Sequence, residues 1–190
     1  DCIIHEDAHV FNMLVASKPS IESLENFVEC GDVVLIDWEF ARCGPIAIDV
    51  GYVYPFPLAC VLTHAMNGDV HLCENILKFL DLLWDEYSNT VSVPVKEREL
   101  SEVYKSMMFF CGVILIAYYK LGFHLEFLPL DEANEEGLGR VKESMGVLGL
   151  KFMSWGIQSS DGGEDLSTLR QRYKDAIADE MQLLSPTKVP

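Results

Sequence analysis

The chain has 190 residues, the length of one domain, and 49% of them are apolar, enough to bury a substantial core. A formal net charge of −16 argues against nucleic acid and anionic membranes as partners, because both would repel it. The six cysteines stand at wide, irregular spacings with no C-x-x-C, which speaks against a zinc or redox motif. Several lie in apolar runs and read as buried thiols, so a reducing, cytoplasmic setting is expected.

Taken in order, Cys2 to His5 and Met13 to Ala16 read as short strands around His5-Glu6-Asp7-Ala8-His9-Val10-Phe11-Asn12. Lys18 to Gly31 is polar and irregular, a variable turn. Val33 to Ile36 is a continuous apolar run bounded by Gly31-Asp32 and Asp37, and reads as a buried strand. Asp37-Trp38-Glu39-Phe40 follows, and Arg42 to Ala47 reads as a loop with the Gly44-Pro45 turn signal.

The pattern then turns helical. Ile48 to Met66 is apolar on most faces, and Pro55 and Pro57 are expected to break or kink it near its start. Asn67-Gly68-Asp69 makes a turn. Val70 to Ser88 is a helix with Leu72, Ile76, Phe79, Leu80, Leu83, Trp84 and Tyr87 in register. Val93-Pro94 interrupts, and Glu97 to Leu121 follows as a core helix with an acidic first turn. Its apolar run, Met107 to Tyr119, is too short to span a bilayer. Glu135 to Gly156 is a further helix, Asp161-Gly162-Gly163 a loop, Leu166 to Leu184 a last amphipathic helix, and 186–190 a tail. Strands first and helices after predict an α+β, mostly helical domain over 1–185.

The chemistry-bearing residues sit at the strand ends. They give H-x-D-x-x-x-x-N, then a strand closing in D-x-E, then G-P-x-x-x-D-x-G through Gly44, Pro45, Asp49 and Gly51. An Asp, an Asn and an Asp-x-Glu pair beside apolar strands are how oxygen ligands for a hard cation are held rigidly. Phosphoryl transfer needs such groups: a carboxylate to orient the attacking hydroxyl, and Asn and Asp oxygens to hold magnesium on the phosphates.

These motifs, within residues 2 to 60, resemble the C-terminal lobe of the aminoglycoside phosphotransferase and choline kinase-like superfamily of small-molecule kinases. Asp37-Trp38-Glu39-Phe40-Ala41 with Gly44-Pro45 and Asp49-Val50-Gly51 is most similar to the S-methyl-5-thioribose kinases. The resemblance implies a protein-kinase-like lobe, with a short catalytic β-hairpin packed on a helical bundle. It implies an ATP- and Mg2+-dependent transfer of phosphate to a hydroxyl of a small metabolite. Asp7 would be the catalytic base, and Asn12 and Asp37 the magnesium ligands. Glu39 would sit by the metal or substrate, His5 would brace the loop, and Asp49 would be a buried structural acid holding it through backbone hydrogen bonds. Arg42 has two readings, an anionic substrate group or a surface ion pair. An ATP site beside so much negative charge would depend on magnesium and on basic groups from an N-terminal lobe. No segment reads as that lobe: there is no G-x-x-x-x-G-K-S/T and no G-x-G-x-x-G. The chain starts at Asp1, just before the first strand, and is expected to be a fragment or a divergent product that starts within a kinase fold. An apolar face left by a missing lobe would favour a homodimer.

Other readings stand beside this one. Glu6 occupies a position where the family usually has Gly, and Val10-Phe11 replaces its usual Pro-Gly or Thr-Gly. Both favour a catalytically inactive kinase-like domain used for binding or regulation. His5, Asp7 and His9 share one face if the segment is extended, and two His with a carboxylate suit zinc or iron. Trp38 and Tyr52 read as core packing, with a substrate pocket as the alternative.

Overall fold

The computed structural model describes residues 2–15, 33–91, 97–122, 125–130, 135–158 and 164–186. The expected turn over Lys18 to Gly31, the Val93-Pro94 break, His124, Cys30 and the Asp161-Gly162-Gly163 loop lie outside them. Within them the domain is mostly helical with a small strand layer.

The strands are β1 (Cys2–Ile4), β2 (Met13–Val15), β3 (Val33–Leu35) and β4 (Arg42–Gly44). Arg42 to Gly44, expected as loop, is a strand because β1 offers it an open edge. The pair is antiparallel with Ile3 opposite Cys43, and β2 pairs antiparallel with β3 with Leu14 opposite Val34. The two strands flanking the Asp7 loop therefore pair with different partners, and the layer is two two-stranded sheets. Its apolar residues are open to solvent, Ile3 at 72%, Leu14 at 54% and Val34 at 53%, so the strand before Asp37, expected to be buried, is an exposed edge of a two-stranded sheet.

The helices are α1 (Ala47–Val53), α2 (Pro55–Asn67), α3 (Val70–Val91), α4 (Glu97–Leu121), α5 (Glu135–Ile157) and α6 (Leu166–Leu184). Pro55 opens α2 at its first turn, where a missing N–H costs nothing, and so separates it from α1. Gly68 ends α2 at φ +80.

α4 is the central element. Met107, Cys111 and Leu115 on it, with Met145, Leu148 and Phe152 on α5, are fully buried at helical spacing. Two glycines allow the helices to approach: a Cβ at Gly112 would stand 2.7 Å from the Gly149 carbonyl, and one at Gly149 2.8 Å from that of Gly112. On the other side a Cβ at Gly51 would meet the Met107 carbonyl at 2.6 Å, so α1 lies directly against α4. That contact seats Asp49 in α1. The helix has the expected bounds; the apolar run alone is too short to span a bilayer, whereas Glu99–Leu121 within the helix is long and apolar enough by length and composition to do so, as core helices also can be. Its fully buried residues are those of a central bundle helix.

Cys73 and Cys111 are buried, Cys60 is half-buried and Cys43 is exposed.

Candidate functional site

Two loops meet at the edge of the strand layer. The first, His5 to Asn12, joins β1 to β2 and ends in a 3-10 turn at Val10–Asn12. The second joins β3 to β4 through Ile36, Asp37 and a 3-10 turn at Trp38–Phe40. The crossed pairing brings the loops together, and one peptide unit locks them. The Ile36 N–H donates to the Asn12 carbonyl at 2.9 Å. The Ile36 carbonyl accepts from Nε2 of His5 at 2.7 Å, which makes Nε2 the protonated ring nitrogen. His5 is 1% exposed, and its ring leans on Trp38 with centroids 4.6 Å apart. Asp37 thus follows directly on a residue tied to Asn12.

Asp49 holds the first loop from below. Its carboxylate accepts the N–H of His5 at 2.7 Å and that of Glu6 at 2.8 Å, one to each oxygen. It is half-buried, and it sits in the first turn of α1, where the helix dipole favours a negative charge.

Asn12 is nearly buried and orders Asp7. Its Nδ2 donates to the Asp7 carbonyl at 3.0 Å and to Oδ2 of Asp7 at 3.1 Å. The amide nitrogen is thereby used, and Oδ1 is the acceptor end left for another group. His9 Nε2 stands 3.5 Å from the same Asp7 oxygen. Among the described residues, the non-glycine positions with positive φ are Glu6 and Asp37, both at +67. One flanks Asp7, the other is the acid after β3. Left-handed backbone is uncommon outside glycine, more so at Glu than at Asp, and it clusters where a structure over-determines a site. Asp37 is exposed and its side chain caps nothing. Glu39 is exposed on the 3-10 turn.

Glu6 and Arg42 form a two-pronged ion pair through Nε and Nη2 of the guanidinium. The Glu6 hydrogen bond, and then its charge, raise the Arg42 pKa above its ordinary value. Of the two readings of Arg42, the structure has the ion pair.

A cavity of about 660 Å³ opens beside the loop, lined by Glu6, Asp7, His9, Phe40, Tyr52 and Tyr118 among others. Burial raises the Tyr52 pKa, with Glu6 and Asp7 adding to it, so the phenol stays a neutral donor. Burial raises Tyr118 likewise. Two carboxylates face this space, and no lysine or arginine among the described residues lines it. Asn12, Asp37, Glu39 and Arg42 are not among the lining residues; they stand on the loops around it. Trp38, expected as core, is 50% exposed, and Tyr52 lines the cavity. Tyr118 and Ile114 carried no signal in the sequence, since both lie inside the apolar run of α4.

The grouping of His5, Asp7 and His9 as zinc or iron ligands is overturned. It needs an extended segment, whereas His9 N–H turns back to the Asp7 carbonyl and Asn12 N–H to that of His9. His5 is turned inward onto Ile36, and among the described residues no group of three His, Cys, Asp or Glu side chains could hold a metal. Magnesium asks for less, one or two protein oxygens beside phosphate and water. Asn12 Oδ1 and the uncapped Asp37 carboxylate suit that donor set. The arrangement can therefore place a carboxylate, Asp7, against a substrate hydroxyl, with hard oxygen donors on the adjoining loop.

Comparison of the chain with family models, with curated proteins and with solved structures finds no match.

Proposed function

We propose that the chain is the C-terminal lobe of an ATP- and Mg2+-dependent small-molecule phosphotransferase of the aminoglycoside phosphotransferase and choline kinase-like type. S-methyl-5-thioribose is the leading substrate by resemblance of the Asp37-Trp38-Glu39 region. The mostly helical bundle with its strand layer supports a protein-kinase-like lobe over 1–185. The observation that carries the reading is the lock between the loops: Asn12 holds Asp7 through Nδ2 and Ile36 through its carbonyl, so base and metal donors form one rigid unit.

In this reading Asp7 accepts the proton of the substrate hydroxyl at the cavity edge and aims its oxygen for attack. Asn12 fixes the rotamer of Asp7. Asn12 Oδ1 and Asp37 would hold magnesium, which would neutralise charge on the phosphates. Tyr52 donates to a substrate oxygen as a neutral phenol. Asp49 and His5 keep the loop in place.

Calorimetry with Mg2+ and ATP tests this on the chain and on the full product of its reading frame, each beside Asp37→Ala. Magnesium-dependent binding by the full product, lost in Asp37→Ala, is expected. Its absence from folded, full-length protein would sink the active-kinase reading.

One observation favours a second reading, a kinase-like binding or regulatory domain without catalysis. Glu6 holds the neighbouring guanidinium of Arg42 and itself sits in left-handed backbone. Glu6→Gly relieves both. If the pair keeps phosphate out, that variant gains Mg-ATP binding that the parent lacks; equal binding by both removes the support for this reading.

A further inference from the structure

The Asp7 loop has a further anchor, remote from it in the chain. The 3-10 turn that closes the loop spans Val10–Asn12 and carries no side-chain cap. A 3-10 helix has three residues per turn, so successive side chains project about 120° apart. Val10 packs against the bundle core. Asn12 turns to Asp7, donating to its carbonyl at 3.0 Å and to its carboxylate at 3.1 Å. Phe11, which stands where the resembling kinases usually have Gly, takes the remaining direction. Its ring meets Phe56 on α2 edge to face at 4.8 Å and Phe127 at 4.9 Å.

Phe127 lies in a short 3-10 turn, Leu125–Phe127, that follows α4. It is 56% exposed, so its contact with Phe11 is not a by-product of core burial. The turn that carries it is held independently of the loop. Leu128 is buried, and its N–H donates to the Leu125 carbonyl at 3.2 Å. The Pro129 carbonyl accepts from Nδ2 of Asn67, at the end of α2, at 3.1 Å. Phe11 therefore rests on two fixed rings, one on α2 and one on this turn. Ring pairs at such distances attract beyond their area burial. Val10, Phe11 and Asn12 share one turn of backbone, so a roll that releases Phe11 also swings the Asn12 amide away from Asp7.

We propose that Phe127, acting through Phe11, is a positioning residue of the Asp7 site: the turn at 125–127 sets the rotation at which Asn12 presents its amide to Asp7. What Asp7 then does rests on the phosphotransfer reading; the coupling itself does not.

Nuclear magnetic resonance on the whole chain tests this at Asn12, without ATP or magnesium. The Nδ2 protons report the bonds to Asp7. The backbone N–H, which donates to the His9 carbonyl at 3.0 Å, reports opening of the turn. In Phe127→Ala the side-chain signals of Asn12 are expected to shift. Its backbone N–H is expected to exchange roughly fivefold faster, the factor that loss of one aromatic pair allows. Phe127→Tyr, which keeps the ring, is expected to match the parent. On a Phe11→Ala background, Phe127→Ala is expected to add nothing, because the contact is already gone. Leu183→Ala, which removes a still more exposed apolar side chain on α6, is expected to leave Asn12 unchanged. Parent-like Asn12 signals in Phe127→Ala, the same change in Phe127→Tyr or Leu183→Ala, or a further change on the Phe11→Ala background would each overturn the proposal. Overhauser contacts between the Phe11 and Phe127 rings of the parent supply a reading that needs no variant, and their absence also overturns it. Failure of magnesium–ATP binding is a separate result: it would remove the phosphotransfer reading and leave this coupling as measured.

Discussion

Removing the Asp49 carboxylate tests whether the Asp7 loop is held from α1. The carboxylate accepts two backbone N–H groups, at 2.7 and 2.8 Å. A hydrogen bond to a charged group contributes about 1.5–3 kcal/mol, and half-burial of Asp49 places each at the lower end. In Asp49→Ala the His5 N–H is left in a buried residue, while the Glu6 N–H, in a half-buried one, regains water more readily. The expected loss is about 2–4 kcal/mol, or roughly 10 °C in melting temperature for a chain of this size. Asp49→Asn keeps one acceptor oxygen and should lose about half as much. Urea denaturation followed by circular dichroism reads this as a lower midpoint at constant slope. A midpoint for Asp49→Ala within about 0.5 kcal/mol of the parent would refute the reasoning, because the loop would then be held by something else.

Gly112→Ala should destabilise by about 1–3 kcal/mol, since its Cβ would meet the Gly149 carbonyl at 2.7 Å; Gly139→Ala, with nothing within 4 Å in mid-helix, should stabilise by up to about 1 kcal/mol. Equal effects in thermal melts would contradict the close packing of α4 and α5. Asp165 caps α6 by accepting from the Ser167 and Thr168 hydroxyls and from the Thr168 N–H, which in that order hold its pKa well below the usual carboxylate range. A depressed folded pKa gives stability that is present above the unfolded value of about 4 and is lost as pH falls through the folded one. The melting gap between parent and Asp165→Ala should be full at pH 7 and close in acid; a gap that persists unchanged to pH 2 would count against the cap. Of Cys43, Cys60, Cys73 and Cys111, Cys43 should react first with a thiol reagent, and Cys60 later, its thiol pushed up to about 11 by burial. Cys73 and Cys111 should react on unfolding, and labelling of Cys111 in folded protein at the rate of Cys43 would contradict the core.

Much of the fold is legible in local pattern. The periods of α3, α4, α5 and α6 and the break at Pro55 are readable, because helical period and proline stereochemistry act over a few residues; the run before Asp37 is readable as a strand, but its expected burial is not what the structure has. The strand layer is less so. Arg42-Cys43-Gly44 has no alternation to mark it, and becomes β4 because β1 lies beside it. Trp38 is apolar and aromatic yet half-exposed, since its neighbours in space come from the His5 loop, not from the bundle.

The same division runs through the site. Which acids and amides stand beside the strands, and in what order, can be read along the chain, because each strand end is set by its own flanking residues. Packing in three dimensions sets that Ile36 joins the two loops, that Arg42 goes to Glu6, and that Asp49 reaches across to His5 and Glu6. It alone brings Phe127 against Phe11, from opposite halves of the chain. Such meetings depend on how whole helices and strands pack, and no local period encodes the distance across a bundle.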